Sequence, residues 1–349
     1  LLTAVSPAPT ETAPPPRSAP RRRATVGVAA AAGLLLAAVV LSVAVGTRWI
    51  DPATVWHVLW HPDGSQESAI VHDVRIPRTL LAVAVGAALG LAGAVMQALT
   101  RNPLAEPGLL GVNTGAATGV VVAIAFVGTN SLGGYVWFAF AGAGLLSVAV
   151  FVLGGAGRVP TPDRLVLAGV AVDAVLSMLI WTVLMTRPDS FLRYRHWDVG
   201  SLTDRGYDVL GQVAPFLVLG IAAALLLGRG LNALALGDDA AKAVGARPGR
   251  IRLAGMVVVT LLCGAVTAAV GPIAFLGLAV PFAARLLVGA DNRAILAMSM
   301  LIGPGIFVIA DVLGRVVVAP SELQVGIVTA VIGGPVFIAL CRRRRVGVL

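Results

Sequence analysis

From residue 24 onward, long apolar runs alternate with short polar ones. A run of about 20 apolar residues matches the hydrocarbon thickness of a bilayer. On that rule the pattern predicts ten membrane-spanning helices, at 24–46, 78–99, 108–128, 133–155, 164–186, 208–228, 251–270, 273–289, 294–316 and 323–341. The third is glycine-rich, and the eighth is short and holds Pro281. The expected fold class is an all-α polytopic membrane protein. Its domain plan is a basic, Pro-, Ala- and Thr-rich tail at 1–23, a transmembrane domain at 24–345 and a short C-terminal tail at 346–349. The apolar run after the first tail is too long for a signal peptide.

One polar stretch interrupts this pattern differently from the rest. Residues 234–248, within the loop 229–250, are too polar for a span. Asp238 and Asp239 stand where a helix N-terminus favours negative charge. Ala240, Ala241, Ala243 and Val244 give the following turns an apolar side, and Gly245 is a helix stop. Arg229, Arg247, Arg250 and Arg252 flank it. Two readings stand: a short exposed helix that docks a partner, or an ordinary polar loop.

Composition fixes the class. The chain is 58% hydrophobic and 12% charged, and its mean hydropathy is +0.91. Soluble domains carry about 25% charged residues. The net charge of +9 does not imply nucleic acid, because the arginines cluster at the ends of apolar runs and aromatics are few. Arg21–Arg23 and Arg342–Arg345 predict both termini in the cytoplasm. Ten spans then place loops 229–250 and 156–163 inside, and 47–77 and 187–207 outside. Cys263 and Cys341 fall in apolar runs, as small buried residues do. All four histidines lie outside; His57 and His61 are four apart, yet no carboxylate or cysteine completes a metal site. Trp56 and Trp60 mark that segment as interfacial.

A nucleotide-binding P-loop needs Gly-Lys-Ser/Thr. Lys242 is the sole lysine of the sequence and stands between alanines. The chain is therefore not expected to be an ATPase, nor to hold a cofactor. Asn102-Pro103, Pro107-Gly108, Gly271-Pro272, Gly303-Pro304 and Gly333-Gly334-Pro335 predict helix breaks at membrane depth. Such breaks persist where protein covers them or where they line a cavity, which favours a transporter over an anchor.

Several segments, in order, resemble one family. They are Arg75-Ile-Pro-Arg78-Thr-Leu, the 93–115 stretch from Gly93 through Asn102-Pro103-Leu-Ala-Glu106-Pro107 to Gly115, 165–170, Trp197-Asp-Val-Gly200-Ser201-Leu202, the 234–245 loop, 271–281, Ala310-Asp311 to Arg315, and Glu322 to Phe337. The chain is similar to the FecCD-type permease subunits of bacterial ABC importers for iron–siderophores, haem and cobalamin. The resemblance covers nearly everything after residue 70. It implies a type II ABC importer permease of ten helices in the bacterial cell membrane, paired with itself or a sibling permease around one path. It also implies two ABC ATPase subunits, which bind the ATP and Mg, and an extracytoplasmic substrate-binding protein. By resemblance, the loop residues Leu236, Gly237, Asp238, Asp239, Ala240, Lys242 and Gly245 couple to the ATPase, and ferric siderophore is the expected cargo. An ion-coupled transporter using Asp173 and Asp311 is the competing reading, and it leaves the 234–248 loop without a purpose. A membrane enzyme is disfavoured, since no nucleophile–base pair or metal cluster falls in the spans.

Arg75, Arg78 and Arg315 fall at outer span ends, against the charge rule. They match the family's docking positions for the binding protein; snorkelling is the alternative. Asp311, four residues before Arg315, is placed to pair with it. Asp173 interrupts the fifth span where the family more often has a small or apolar residue. It either faces the path or bonds to a neighbouring helix. The family's inner gate maps near Pro162 and Asp163. Arg285 reads as a snorkelling or inter-helix residue.

Overall fold

A computed structural model describes residues 21–129, 132–155 and 162–342. The terminal tails beyond these bounds, Arg343–Arg345 and most of the loop 156–163 lie outside the described residues. Fourteen α-helices follow in order: α1 (Arg21–Ala44), α2 (Pro52–Trp60), α3 (Gln66–Ala69), α4 (Ile76–Thr100), α5 (Val112–Val122), α6 (Leu132–Gly155), α7 (Pro162–Thr186), α8 (Pro188–Asp198), α9 (Tyr207–Ala235), α10 (Asp238–Ala243), α11 (Pro248–Val270), α12 (Leu276–Val288), α13 (Asn292–Val317) and α14 (Val325–Arg342). Among the described residues, seven helical segments are long and apolar enough to cross a membrane. Three shorter apolar helices, at Val112–Val127, Leu276–Val288 and Val325–Ile338, complete the ten expected runs.

The chain crosses back and forth between two faces. The near face is where α1 begins; the far face is where α1 ends. Helix α4 is the central pillar and is buried along most of its length against α13, α12, α9 and α11. Its small residues explain the packing. A Cβ added at Gly93 would lie 1.8 Å from the Gly277 carbonyl oxygen, and one at Gly86 would lie 2.6 Å from Pro304 Cα. Only a residue without a side chain lets backbones approach this closely.

The breaks are fewer than the prolines imply. Helix α13 runs unbroken through Pro304 and α14 through Pro335. Pro304 is buried against Gly86 of α4, which holds α13 in place there, whereas Pro335 is exposed on α14. The real interruptions are 101–106 and 271–275. They meet: the Phe275 amide donates to Glu106 Oε1 (2.8 Å). Pro107 lies beside Gly277, itself packed against the middle of α4. The segment after α4 therefore turns back into the bundle before α5 begins. The third expected span is accordingly short and irregular, with a 3-10 turn at Pro107–Leu110, α5, and a π-helical end at Ala123–Val127.

Helices α2, α3 and α8 lie within loops at the far face. Asp51 caps α2, its Oδ2 accepting from the Ala53 amide (3.1 Å), with Pro52 in the first turn. Pro188 and Asp189 open α8, and Arg195 and His196 close it, as the helix dipole favours. Trp56 and Trp60 are exposed on α2, in an edge-to-face pair.

Candidate functional site: two arginine–carboxylate centres

At the near face, the stretch 236–245 holds a short helix between two glycine turns. Gly237 (φ 100°) and Gly245 (φ 79°) adopt backbone conformations that favour glycine, and α10 lies between them. The helix has two sides. Ala241 is fully buried. Asp239, Ala240 and Lys242 are exposed, as are Leu236 and Val244 at its ends. Asp238 begins the helix but faces inward. Arg252 of α11 holds it bidentately, Nη1 to Oδ2 (2.9 Å) and Nη2 to Oδ1 (2.8 Å). Arg101, just past α4, donates Nη2 to the same Oδ1 (2.9 Å) and to the Leu234 carbonyl (2.6 Å). The hydrogen bond from Arg252 and the two positive charges hold the Asp238 carboxyl below the usual carboxylate range.

At the far face, Arg75, Arg78 and Arg315 are buried and bonded within the chain. Arg75 donates to the carbonyls of Val43 (2.8 Å), Ala44 (2.7 Å) and Arg48 (2.8 Å). The first two end α1, where unpaired carbonyls attract a cation. Arg78 donates Nη2 to Asp311 Oδ1 (2.8 Å) and Nη1 to Glu322 Oε2 (2.9 Å). Arg315 donates Nε to Asp311 Oδ2 (2.9 Å) and Nη1 to the Ser42 carbonyl (3.0 Å). The expected Asp311–Arg315 pair is therefore present, with Arg78 as a second partner that the sequence spacing did not show. Beside these groups a cavity of about 190 Å³ is lined by Arg48, Arg75, Arg78, Arg315 and Glu322, with Gly46, Thr47, Ile70 and Val74.

Asp173 is exposed at the middle of α7 and accepts a hydrogen bond from Thr114 of α5. Pro162 and Asp163 open α7; their side chains lie outside the described residues. Arg285 of α12 is partly buried, with no partner for Nε or Nη2. Among the described residues, no group of three or more His, Cys, Asp or Glu side chains could hold a metal ion.

The comparisons agree with this architecture. The model of the FecCD transport family matches residues 34–343. The ferric enterobactin transport system permease protein FepD of Escherichia coli (strain K12) is 46% identical over 313 residues, covering 89% of this chain and 93% of the relative. The probable siderophore transport system permease protein YfiZ of Bacillus subtilis (strain 168) is 37% identical, covering 88% of this chain and 92% of the relative. A solved structure described as "a putative metal-chelate type ABC transporter" in an inward-facing conformation superposes with a TM-score of 0.80 at 27% identity, covering 91% of this chain and 99% of that one. With a family model spanning most of its length and relatives aligned nearly end to end, the chain belongs to the FecCD transport family.

Proposed function

We propose that this chain is the membrane permease of an ATP-driven importer that admits a metal chelate. A ferric siderophore is the favoured cargo, as for the relatives above, with cobalamin or haem as alternatives. The observation that carries the proposal is α10, a short helix with the buried Ala241 and exposed residues around it, set between two long apolar helices. Leu236, Asp239, Ala240, Lys242 and Val244 form a surface that a solvated connector does not require. Two separate ABC ATPase subunits would grip it, one per permease, and would bind the ATP and Mg. The near face, where α1 begins and α14 ends, is then cytoplasmic.

The far-face cavity suits the binding protein. An acidic side chain entering it meets four arginines, Arg48, Arg75, Arg78 and Arg315, whose charge Glu67, Asp311 and Glu322 only partly balance. Arg75, Arg78 and Arg315 would act from beneath this docking surface. Asp173 supports a partner permease. A mid-membrane carboxylate is costly against lipid, so its exposed side requires protein or water. Helix α7 would border the path between two permeases, with Pro162 and Asp163 near its inner gate. Lipid would cover the remaining apolar walls.

The test is reconstitution with the cognate ATPase and binding protein. Wild type should co-purify with the ATPase and accumulate ferric siderophore only when ATP is supplied. Leu236→Glu with Val244→Glu should abolish co-purification while leaving the permease folded. Uptake by the permease alone would overturn the proposal. Asp173→Ala should slow uptake without lowering the melting temperature; the reverse pattern would make Asp173 a structural bond to α5.

A further inference from the structure

The ends of α4 carry an asymmetry that the functional reading does not explain. Arg78 lies in its first turn and Arg101 just past its last residue. At 1.5 Å per residue the two are roughly 35 Å apart. One helix thus joins the far-face arginine cluster to the near-face helix α10. We propose that Arg101 and Arg252, holding Asp238 between them, are positioning residues that fasten α10 to α4 and α11, so that a displacement of α10 is carried by α4 to the binding-protein face. This rests on the reading of α10 as the helix gripped by the ATPase.

Geometry supports the linkage at three points. Gly237 and Gly245 join α10 to α9 and α11 through tight backbone turns, and the side chains that fix it against the bundle are Asp238 and the buried Ala241. Arg101 reaches Asp238 from a left-handed backbone (φ 51°). Such a conformation is disfavoured for a residue with a side chain and persists where surrounding contacts hold it. Here the backbone is held by the end of α4 itself, the Arg101 amide donating to the Gln97 carbonyl, and from that cap the guanidinium reaches the Asp238 carboxylate and the Leu234 carbonyl of α9. Finally, α4 is suited to move as a body. Its backbone is in direct contact with α12 at Gly93 and with α13 at Gly86, and close-packed interiors transmit displacement rather than absorb it.

Exposed Asp239 and Lys242 pair with each other and not with Arg101 or Arg252, so docking and transmission can be tested separately. Arg101→Ala, Arg101→Lys and Arg252→Ala would be reconstituted with ATPase and binding protein, and three quantities measured: co-purification, basal ATP hydrolysis and chelate taken up per ATP. Arg101→Ala and Arg252→Ala should keep the first two within twofold of wild type. Uptake per ATP, and stimulation of hydrolysis by loaded binding protein, should fall about tenfold, within the usual range of coupling between sites. Arg101→Lys keeps the charge but not the guanidinium fork and should fall between. Unchanged uptake per ATP in both alanine variants would overturn the linkage and leave the clamp a local contact. Loss of co-purification in both would also overturn it and make the clamp part of the docking surface. If Arg252→Ala does not fold, Arg101→Ala decides. Failure of wild type itself to bind the ATPase would instead overturn the coupling reading.

Discussion

Asp311 and Asp238 are each held by two arginines, yet their surroundings differ. At the far face the Asp311 side chain is 1% exposed, and those of Arg78 and Arg315 are 8% and 3% exposed. At the near face the Asp238 side chain is 39% exposed, with Arg101 at 36% and Arg252 at 20%. Water screens the second centre and not the first. A buried charge left without its partner is strongly destabilising, whereas an exposed pair contributes little. The far cluster is therefore built into the fold. The near clamp holds a position without dominating stability, as the proposed linkage requires.

The sharpest break of this comparison is Asp311→Asn. It leaves Arg78 and Arg315 buried beside a neutral amide, and the expected loss is about 3–5 kcal/mol. Thermal unfolding in detergent would show it as a large drop in melting temperature or no folded protein. A melting curve superposable on wild type would show that water already reaches this cluster.

The shaft between the centres is tested next. Gly93→Ala places a Cβ against the Gly277 carbonyl. Because the clash is with backbone, α4 and α12 must separate, at a cost of about 1–3 kcal/mol or more. The measurement is again the melting temperature, now read with uptake per ATP. If stability and coupling both stay at wild-type values, α4 is not the tightly packed pillar described above.

Glu322→Gln should act more gently. Glu322 accepts from Arg78 and from Thr203 Oγ1 (2.9 Å), and its side chain is a quarter exposed. The amide keeps one acceptor, and Asp311 still balances Arg78. The expected loss is about 1 kcal/mol, seen as a small shift in melting temperature. A loss equal to that of Asp311→Asn would mean that Glu322, not Asp311, anchors the cluster.

The two centres were not equally legible in the sequence. The ten spans followed from length and apolarity, since no soluble core needs such runs. Helix α10 was visible in its acidic start and its glycine stop. The Asp311–Arg315 pair was visible because i, i+4 is a local rule of one helix. Arg78 on Asp311 and Arg101 on Asp238 join residues 233 and 137 positions apart, and no periodicity encodes such pairs. The prolines misled in part, because whether Pro304 breaks a helix depends on what packs against it. Helices α2 and α8 did leave local signals, in Asp51-Pro52 and Pro188-Asp189, inside segments read as plain loops.

The smallest expected effect is a pH dependence, and its sign follows from which form the arginines favour. They favour ionised Asp238, so its carboxyl is depressed in the folded chain relative to the unfolded value of about 3.9. Stability from the clamp is then fully present above that value and is lost as pH falls through the lower, folded one. Exposure and salt keep it below about 1 kcal/mol. Asp198, in α8 at the far face, is shifted the other way: burial raises it, and the Tyr194 hydroxyl donating to its Oδ1 (2.9 Å) only partly offsets that. It therefore takes up its proton first on acidification, while the clamp is still intact. The difference in melting temperature between wild type and Asp238→Asn should be constant from pH 8 to 6 and shrink only below about pH 4. A difference that narrows between pH 6 and 5 would mean that Asp238 is not held by Arg252 and Arg101, and the contrast between the two centres would lose its near-face half.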